Sequence, residues 1–155
     1  MNKNHTRVLA IDPGSERIGV AISDQTATIA NPLMVIKHVQ REIDAEKIKA
    51  VAMENSVCII VVGQALYIDG QPNPSGRKSA RLAEAIKQKT EIPVVLCDEH
   101  ESTKIARETR KVMKTKKKKY HSHMDELAAT IILQSYLDSL PRDNHIHDHA
   151  LEKND

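Results

Sequence analysis

The chain has 155 residues, the length of one domain with a sizeable core, and its formal net charge of +2 does not identify a partner. Phe and Trp are absent and only three Tyr occur, so the core must be aliphatic and stacking of single-stranded bases on aromatic rings is disfavoured. Cys58 and Cys97 lie in apolar runs without metal-type spacing, which indicates reduced thiols in a cytoplasmic protein. No stretch is typical of a signal peptide or a membrane span.

The N-terminal part predicts three short strands in antiparallel order, at residues 8–12, 18–23 and 33–38. The first strand ends in a carboxylate, because Asp12 precedes a proline and is therefore held in extended geometry. Pro13 and Gly14 then predict a tight turn. Taken alone, Asp-Pro-Gly favours a turn over a functional site.

The rest of the chain predicts helices that alternate with buried strands. The first helix, at 41–55, carries Ile43, Ile48, Val51 and Ala52 at helical spacing. The other expected elements are a strand at 57–62 covered on both faces, a loop at 63–76, a helix at 75–90, a buried strand at 93–99, a helix from 102, a charged connector at 116–120 and a last helix at 122–140. Residues 1–140 are expected to form one domain, and 141–155 a disordered polar tail.

This order of elements predicts an α/β fold with a five-stranded mixed sheet, three antiparallel strands followed by two parallel ones, flanked by helices. Each crossover helix requires the strands that it joins to run parallel. That is the arrangement of ribonuclease H-like domains.

Four acids are expected to meet at one edge of this sheet. Parallel strands open their carboxyl ends on the same side, which places Asp12 near Asp98 and Glu99, and Asp125 begins the last helix. Converging carboxylates repel one another unless a divalent cation neutralises them, and oxygen ligands select Mg²⁺ or Mn²⁺. Two such ions roughly 3.5–4 Å apart would serve in-line water attack on a phosphodiester.

Each acid also has a structural interpretation. Asp125 lies three residues after Ser122, the spacing of a capping box. Asp98 and Glu99 could cap the helix that follows, and if the strand alternation persists only one of the two faces the cluster.

Basic residues give a weaker indication of phosphate binding. The segment 104–119 holds one acid, Glu108, among many cations, and lysines there would contact phosphates without reading sequence. A solvated helix face is the alternative. The candidate nucleic-acid contacts are Lys104, Arg107, Lys116, Lys117, Lys118 and Lys119, then Arg77 beside Lys78 and Arg81, and Arg17, which is also expected to form a solvated turn pair with Glu16.

The motifs together resemble the YqgF/RuvX family of bacterial ribonuclease H-like nucleases, described as pre-16S rRNA nucleases and Holliday junction resolvases. The resemblance runs from about Val8 to Leu140. It is carried by Ala10-Ile-Asp12-Pro-Gly14-Ser-Glu-Arg17-Ile-Gly-Val-Ala, Ile60-Val-Val-Gly63, Asp69-Gly70, Pro93-Val-Val-Leu-Cys-Asp98-Glu99 and Met124-Asp125-Glu-Leu-Ala-Ala129.

The resemblance implies a metal-dependent endonuclease with Asp12, Asp98, Glu99 and Asp125 as catalytic acids and Asp12, Glu99 and Asp125 as metal ligands. It implies processing of the 5′ end of pre-16S rRNA, or else resolution of four-way DNA junctions, which needs a homodimer rather than a monomer. His100 stands where the family usually has arginine, so a nucleic-acid-binding domain with impaired catalysis is a further alternative. An actin-like phosphotransferase is disfavoured, since 155 residues cannot supply its second domain.

Overall fold

Five strands form one mixed sheet in the order β3-β2-β1-β4-β5 within the described part of the chain. The computed structural model of the protein describes residues 6–99 and 121–141, without the side chains of 121–124. The elements are β1 (Arg7–Pro13), β2 (Arg17–Ser23), β3 (Ala30–Lys37), α1 (Arg41–Glu54), β4 (Val57–Gln64), α2 (Pro74–Lys89), β5 (Val94–Asp98) and α3 (His121–Ser139). The expected helix from 102, the lysine-rich connector and most of the tail lie outside the described residues.

The strand directions confirm the predicted ribonuclease H-like arrangement. β1 pairs antiparallel with β2, and β2 antiparallel with β3. β4 runs parallel to both β1 and β5. The carboxyl ends of β1, β4 and β5 therefore open on the same edge of the sheet.

The core has two layers, one on each face of the sheet. Alternation along β4 sends Ile60 and Val62 into the layer under α1 and α2, and Val61 into the layer under α3. The same alternation along β1 places Leu9 in the first layer and Ala10 in the second. These two faces are called the α1/α2 face and the α3 face below.

Some details of the predicted elements were wrong. Ile43 is exposed, and the inward stripe of α1 begins instead at Asp44, which is buried. The loop expected at 63–76 is shorter, because Gly63 lies inside β4 and α2 already begins at Pro74. β5 was expected to be buried but forms a sheet edge, where Leu96 is exposed.

β3 begins three residues earlier than predicted, despite a proline in the added stretch. Pro32 has no N–H to donate, which is tolerated because β3 is the other edge strand. In the described ranges, no helix has both the length and the apolar character needed to cross a bilayer.

Candidate active site

Two of the predicted acids meet at the edge where the parallel strands end. Asp12 follows Ala10 on the α3 face of β1, and Glu99 follows Cys97, which packs on the same face of the sheet. The two carboxyl groups are joined by a hydrogen bond across β4, although they are far apart in sequence. The topology therefore produces the convergence that the strand order predicted for these two residues.

The carboxyl group of Glu99 binds its proton unusually tightly. Burial raises the pKa of Glu99 to about 8, and the negative charge of Asp12, the hydrogen bond to it and the charge of Asp98 add to the effect. At neutral pH Glu99 is therefore largely protonated and donates its proton to Asp12. The shared proton leaves the pair with one negative charge at neutral pH. A divalent cation would displace this proton and bind both carboxylates.

Gly63 provides the room that Glu99 needs to reach Asp12. It lies on β4 between the two acids, and a Cβ at this position would lie 2.5 Å from Glu99 Oε1 and 2.8 Å from Ile132 Cδ1. Any larger residue would compete with the Glu99 side chain for the same space. The absence of a side chain at 63 therefore permits the contact.

Gly19, on the other side of Asp12, provides room for the backbone of α3. It pairs with Asp12 across the hairpin, and its added Cβ would lie 2.0 Å from the carbonyl oxygen of Asp125 and 2.7 Å from the carbonyl carbon. The backbone of α3 thus touches the sheet directly opposite Asp12. This close approach fixes the backbone of Asp125 against β2 at the residue that pairs with Asp12.

The side chain of Asp125 is bound to a cation of its own. Arg17 Nη1 lies 3.6 Å from Asp125 Oδ2, so Arg17 pairs with this acid rather than with Glu16, as its assignment to a turn pair had suggested. Within 6–99 and 121–141, no three His, Cys, Asp or Glu side chains form a group that could hold a metal ion. The structure therefore brings Asp12 and Glu99 together, whereas the carboxylate of Asp125 is paired with Arg17.

The capping-box interpretation of Asp125 stays a prediction. The described part of α3 begins at His121, and the side chain of Ser122, which would accept the capping hydrogen bond, lies outside the described residues.

Asp98 and Glu99 point to opposite faces of the sheet. Val94 packs on the α1/α2 face and Cys97 on the α3 face, so alternation directs Asp98 away from Asp12. Asp98 is exposed. It acts on the site through its charge, which contributes to the raised pKa of Glu99.

The predicted nucleic-acid contacts fall into three groups. Arg17 lies at the acidic edge and Arg77 is exposed on α2. Lys78 and Arg81 line a cleft on the α1/α2 face. Lys104, Arg107 and Lys116 to Lys119 lie outside the described residues.

Sequence reasoning missed Gly19 as a determinant of the site. A glycine inside a strand often marks the close approach of another backbone, and this signal was present in Ile18-Gly19-Val20. It also missed Asp44, a buried acid on a helix face that looked solvated.

Comparisons with known proteins agree with this fold. The family model described as RuvX, Holliday junction resolvase, matches residues 6–139. A protein named "Putative pre-16S rRNA nuclease" from Thermoanaerobacter pseudethanolicus is 38% identical over 137 residues, covering 86% of this chain and 96% of that protein. One of the same name from Clostridioides difficile is 36% identical over 132 residues, covering 85% of this chain and 94% of that protein.

Solved structures share the fold at low sequence identity. RuvC of T. thermophilus, in a complex with a Holliday junction substrate, has a TM-score of 0.53 and 18% identity, and the match covers 86% of this chain and 94% of that one. The fowlpox virus resolvase bound to Holliday junction DNA has a TM-score of 0.53 and 11% identity, with 88% and 99% covered. From the family model and these close relatives, the chain belongs to the RuvX family.

Proposed function

We propose that this protein is a metal-dependent endonuclease that hydrolyses phosphodiester bonds in structured nucleic acid, and that its cellular substrate is the 5′ end of pre-16S rRNA. The observation that carries the proposal is the Asp12–Glu99 pair, two carboxyl groups in contact at the end of parallel strands. The names of the relatives support the rRNA substrate. Cys58 and Cys97 form no disulfide bond, which suits a cytoplasmic setting.

The donor set fits a hard divalent cation, Mg²⁺ or Mn²⁺. Asp12 and Glu99 offer carboxylate oxygens, and binding a cation would release the proton that Glu99 retains at neutral pH. Asp125 is proposed as a third ligand, which requires its carboxylate to leave Arg17. The cation supplies Lewis-acid stabilisation of charge on the phosphate and a water of lowered pKa.

The side chains of the chain orient the reactants. Asp12 and Glu99 hold the attacking water near the phosphorus, and Arg17, once released from Asp125, is free to contact a phosphate oxygen. Water loses a proton to the solvent as its oxygen bonds to phosphorus, the bond to the leaving oxygen breaks, and that oxygen takes up a proton from the solvent.

Cleavage assays with two substrates test the proposal. A precursor fragment containing the 5′ end of 16S rRNA should be cut only with Mg²⁺ or Mn²⁺, and Asp12→Asn or Glu99→Gln should lower the rate by about a thousandfold or more. Asp138→Asn is the control, since Asp138 is an exposed acid near the other end of α3. Cleavage by Asp12→Asn at the wild-type rate contradicts the proposal.

Holliday junction resolution is the second candidate, favoured by the description of the family model. It requires two sites, and thus a homodimer on a four-way junction. Faster cutting of the junction than of the rRNA fragment, with a dimer on the junction by light scattering, would favour it. Binding of both substrates without metal-dependent cleavage would instead indicate a nucleic-acid-binding domain.

A further inference from the structure

A second cleft lies at the same edge of the sheet but on the opposite, α1/α2 face. Its volume is about 540 Å³, within the range of pockets that hold small ligands. One wall is the turn that directly follows Asp12, Pro13 to Ser15, and the others come from the start of α1 and from α2. The cleft therefore adjoins the Asp12–Glu99 pair through this turn.

The charged side chains of the cleft leave it with unpaired positive charge. Arg41, Lys78 and Arg81 line it together with two acids, Glu42 and Asp44. Glu42 Oε2 lies 3.5 Å from Lys89 Nζ, and Asp44 is paired with His38. Across the described ranges, no ion pair involves any of the three lining cations.

His38 is held in a fixed orientation at the rim of this cleft. Its Nδ1 contacts Asp44 Oδ2, and Asp44 Oδ1 accepts a hydrogen bond from the Val39 N–H at 3.1 Å. The Asp44 side chain is 2% exposed whereas that of His38 is 40% exposed, so Nε2 is the ring nitrogen left to a ligand.

The Asp44 pair also has a structural use, which does not account for the cations. The side chain of Gln40, the residue before α1, does not cap the helix. Asp44 instead accepts a hydrogen bond from the N–H of Val39, just before Gln40. That explains why Asp44 is buried. It gives no reason for two arginines and a lysine to face one cleft, where they repel one another unless an anion binds.

We propose that this cleft binds a backbone phosphate of the nucleic-acid strand whose scissile phosphate lies at Asp12 and Glu99. Arginine guanidinium groups suit phosphate oxygens, and the volume admits a nucleotide. The strand crosses the sheet edge over Pro13 to Ser15, the turn shared by both sites. The inference rests on the proposed nuclease function, and a free phosphate or mononucleotide is the other source of the same chemistry.

Binding measurements without cleavage test the cleft independently of catalysis. The full chain in EDTA is titrated with a single-stranded oligoribonucleotide of about 12 nucleotides at several salt concentrations. Lys78→Ala with Arg81→Ala should weaken binding about tenfold and lower the salt slope by about 0.7 to 1.4. Lys47→Ala with Lys87→Ala removes the same charge from exposed positions of α1 and α2 outside the cleft, and should change affinity less than about twofold.

The remaining outcomes are distinguishable. Equal effects of the two double variants overturn the inference, whether or not the protein cleaves. If inorganic phosphate or AMP shifts the His38 ring signals in NMR spectra while the Lys78/Arg81 variant binds the oligonucleotide normally, the cleft takes free anions and the strand assignment is wrong. If the cleft variant raises KM for the rRNA fragment about tenfold with kcat within about twofold, the inference is supported. Cleavage by Asp12→Asn at the wild-type rate overturns the proposed nuclease site, whereas the binding comparison of the two double variants still decides whether the cleft binds phosphate.

Discussion

The two faces of the sheet each carry a shielded acid near the same edge, and the two acids differ in the groups that surround them. On the α1/α2 face, Asp44 is buried with partners from its own chain, His38 and the Val39 N–H. On the α3 face, Glu99 contacts another carboxyl group, and the pKa of Glu99 rises to about 8. An acid that the fold supplies with donors stabilises the fold, whereas an acid placed against a second acid is suited to an external cation.

The largest expected effect comes from filling the space opposite Asp12. Gly19→Ala places Cβ against the Asp125 carbonyl, a backbone group that cannot move without displacing α3. We expect the free energy of unfolding, measured with urea, to fall by about 3 kcal/mol. Gly70→Ala is the control, because no atoms crowd it and only its positive φ of 87° is strained, which should cost about 1 kcal/mol. Equal losses would mean that α3 does not depend on Gly19.

Removing the satisfied acid on the other face should have the next largest effect. Asp44→Ala leaves the Val39 N–H and His38 without their buried acceptor, and we expect a loss of about 2 kcal/mol by urea denaturation. Asp44→Asn keeps an acceptor for the Val39 N–H and should lose less. If both variants match the wild type, Asp44 does not stabilise this face.

Removing the acid of Glu99 should raise stability rather than lower it. The folded-state pKa of Glu99 lies above its ordinary value of 4.5, so the folded state binds more protons between about pH 4.5 and 8. Metal-free wild type should therefore lose stability as pH rises through this window, by about 2 kcal/mol after allowance for partial exposure. Glu99→Gln should match the wild type near pH 5 and exceed it near pH 8 in thermal melts. A variant that is less stable at both pH values would contradict this contrast between the faces.

The smallest expected effect concerns the ion pair at the edge. The Arg17 and Asp125 side chains are 49% and 36% exposed, so Arg17→Gln should change stability by less than about 0.5 kcal/mol. It frees Asp125, and calorimetric titration with Mn²⁺ should show affinity about two- to threefold higher. Lys37→Gln is the matched control, since Lys37 pairs with Arg17 in the strand register but forms an ion pair with none of the acids that the structure describes. Identical affinities in both variants would place Asp125 outside the metal site.

The fold was predictable from the sequence because its signals are local and agree with one another. Alternation, apolar runs and turn residues specified the five strands and α1 and α2, and crossover geometry then fixed the strand directions. The meeting of Asp12 with Glu99 followed from that topology. The errors at Ile43 and in the 63–76 loop arose where tertiary contacts, rather than periodicity, decide which residues face inward.

The finer structure of the site depends on distances that no sequence pattern encodes. Strand alternation left Asp98 and Glu99 as alternatives, and only the packing of Val94 and Cys97 resolves them. The pairing of Arg17 with Asp125 depends on how closely α3 approaches β2 at Gly19. Sequence motifs identify the candidate acids, whereas packing determines that Asp125 pairs with Arg17.

The position of α3 has a consequence for folding during synthesis. α3 packs against β1, β2 and β3, and its Gln134 bonds the Ala30 N–H and the Thr28 carbonyl more than a hundred residues earlier in the chain. Contacts of such sequence separation form late, after the chain between them has been made. The ribosome therefore makes the segments that carry Asp12 and Glu99 before the helix that carries Asp125. A nascent chain would thus contain both Asp12 and Glu99 before α3 docks on the sheet and pairs Asp125 with Arg17.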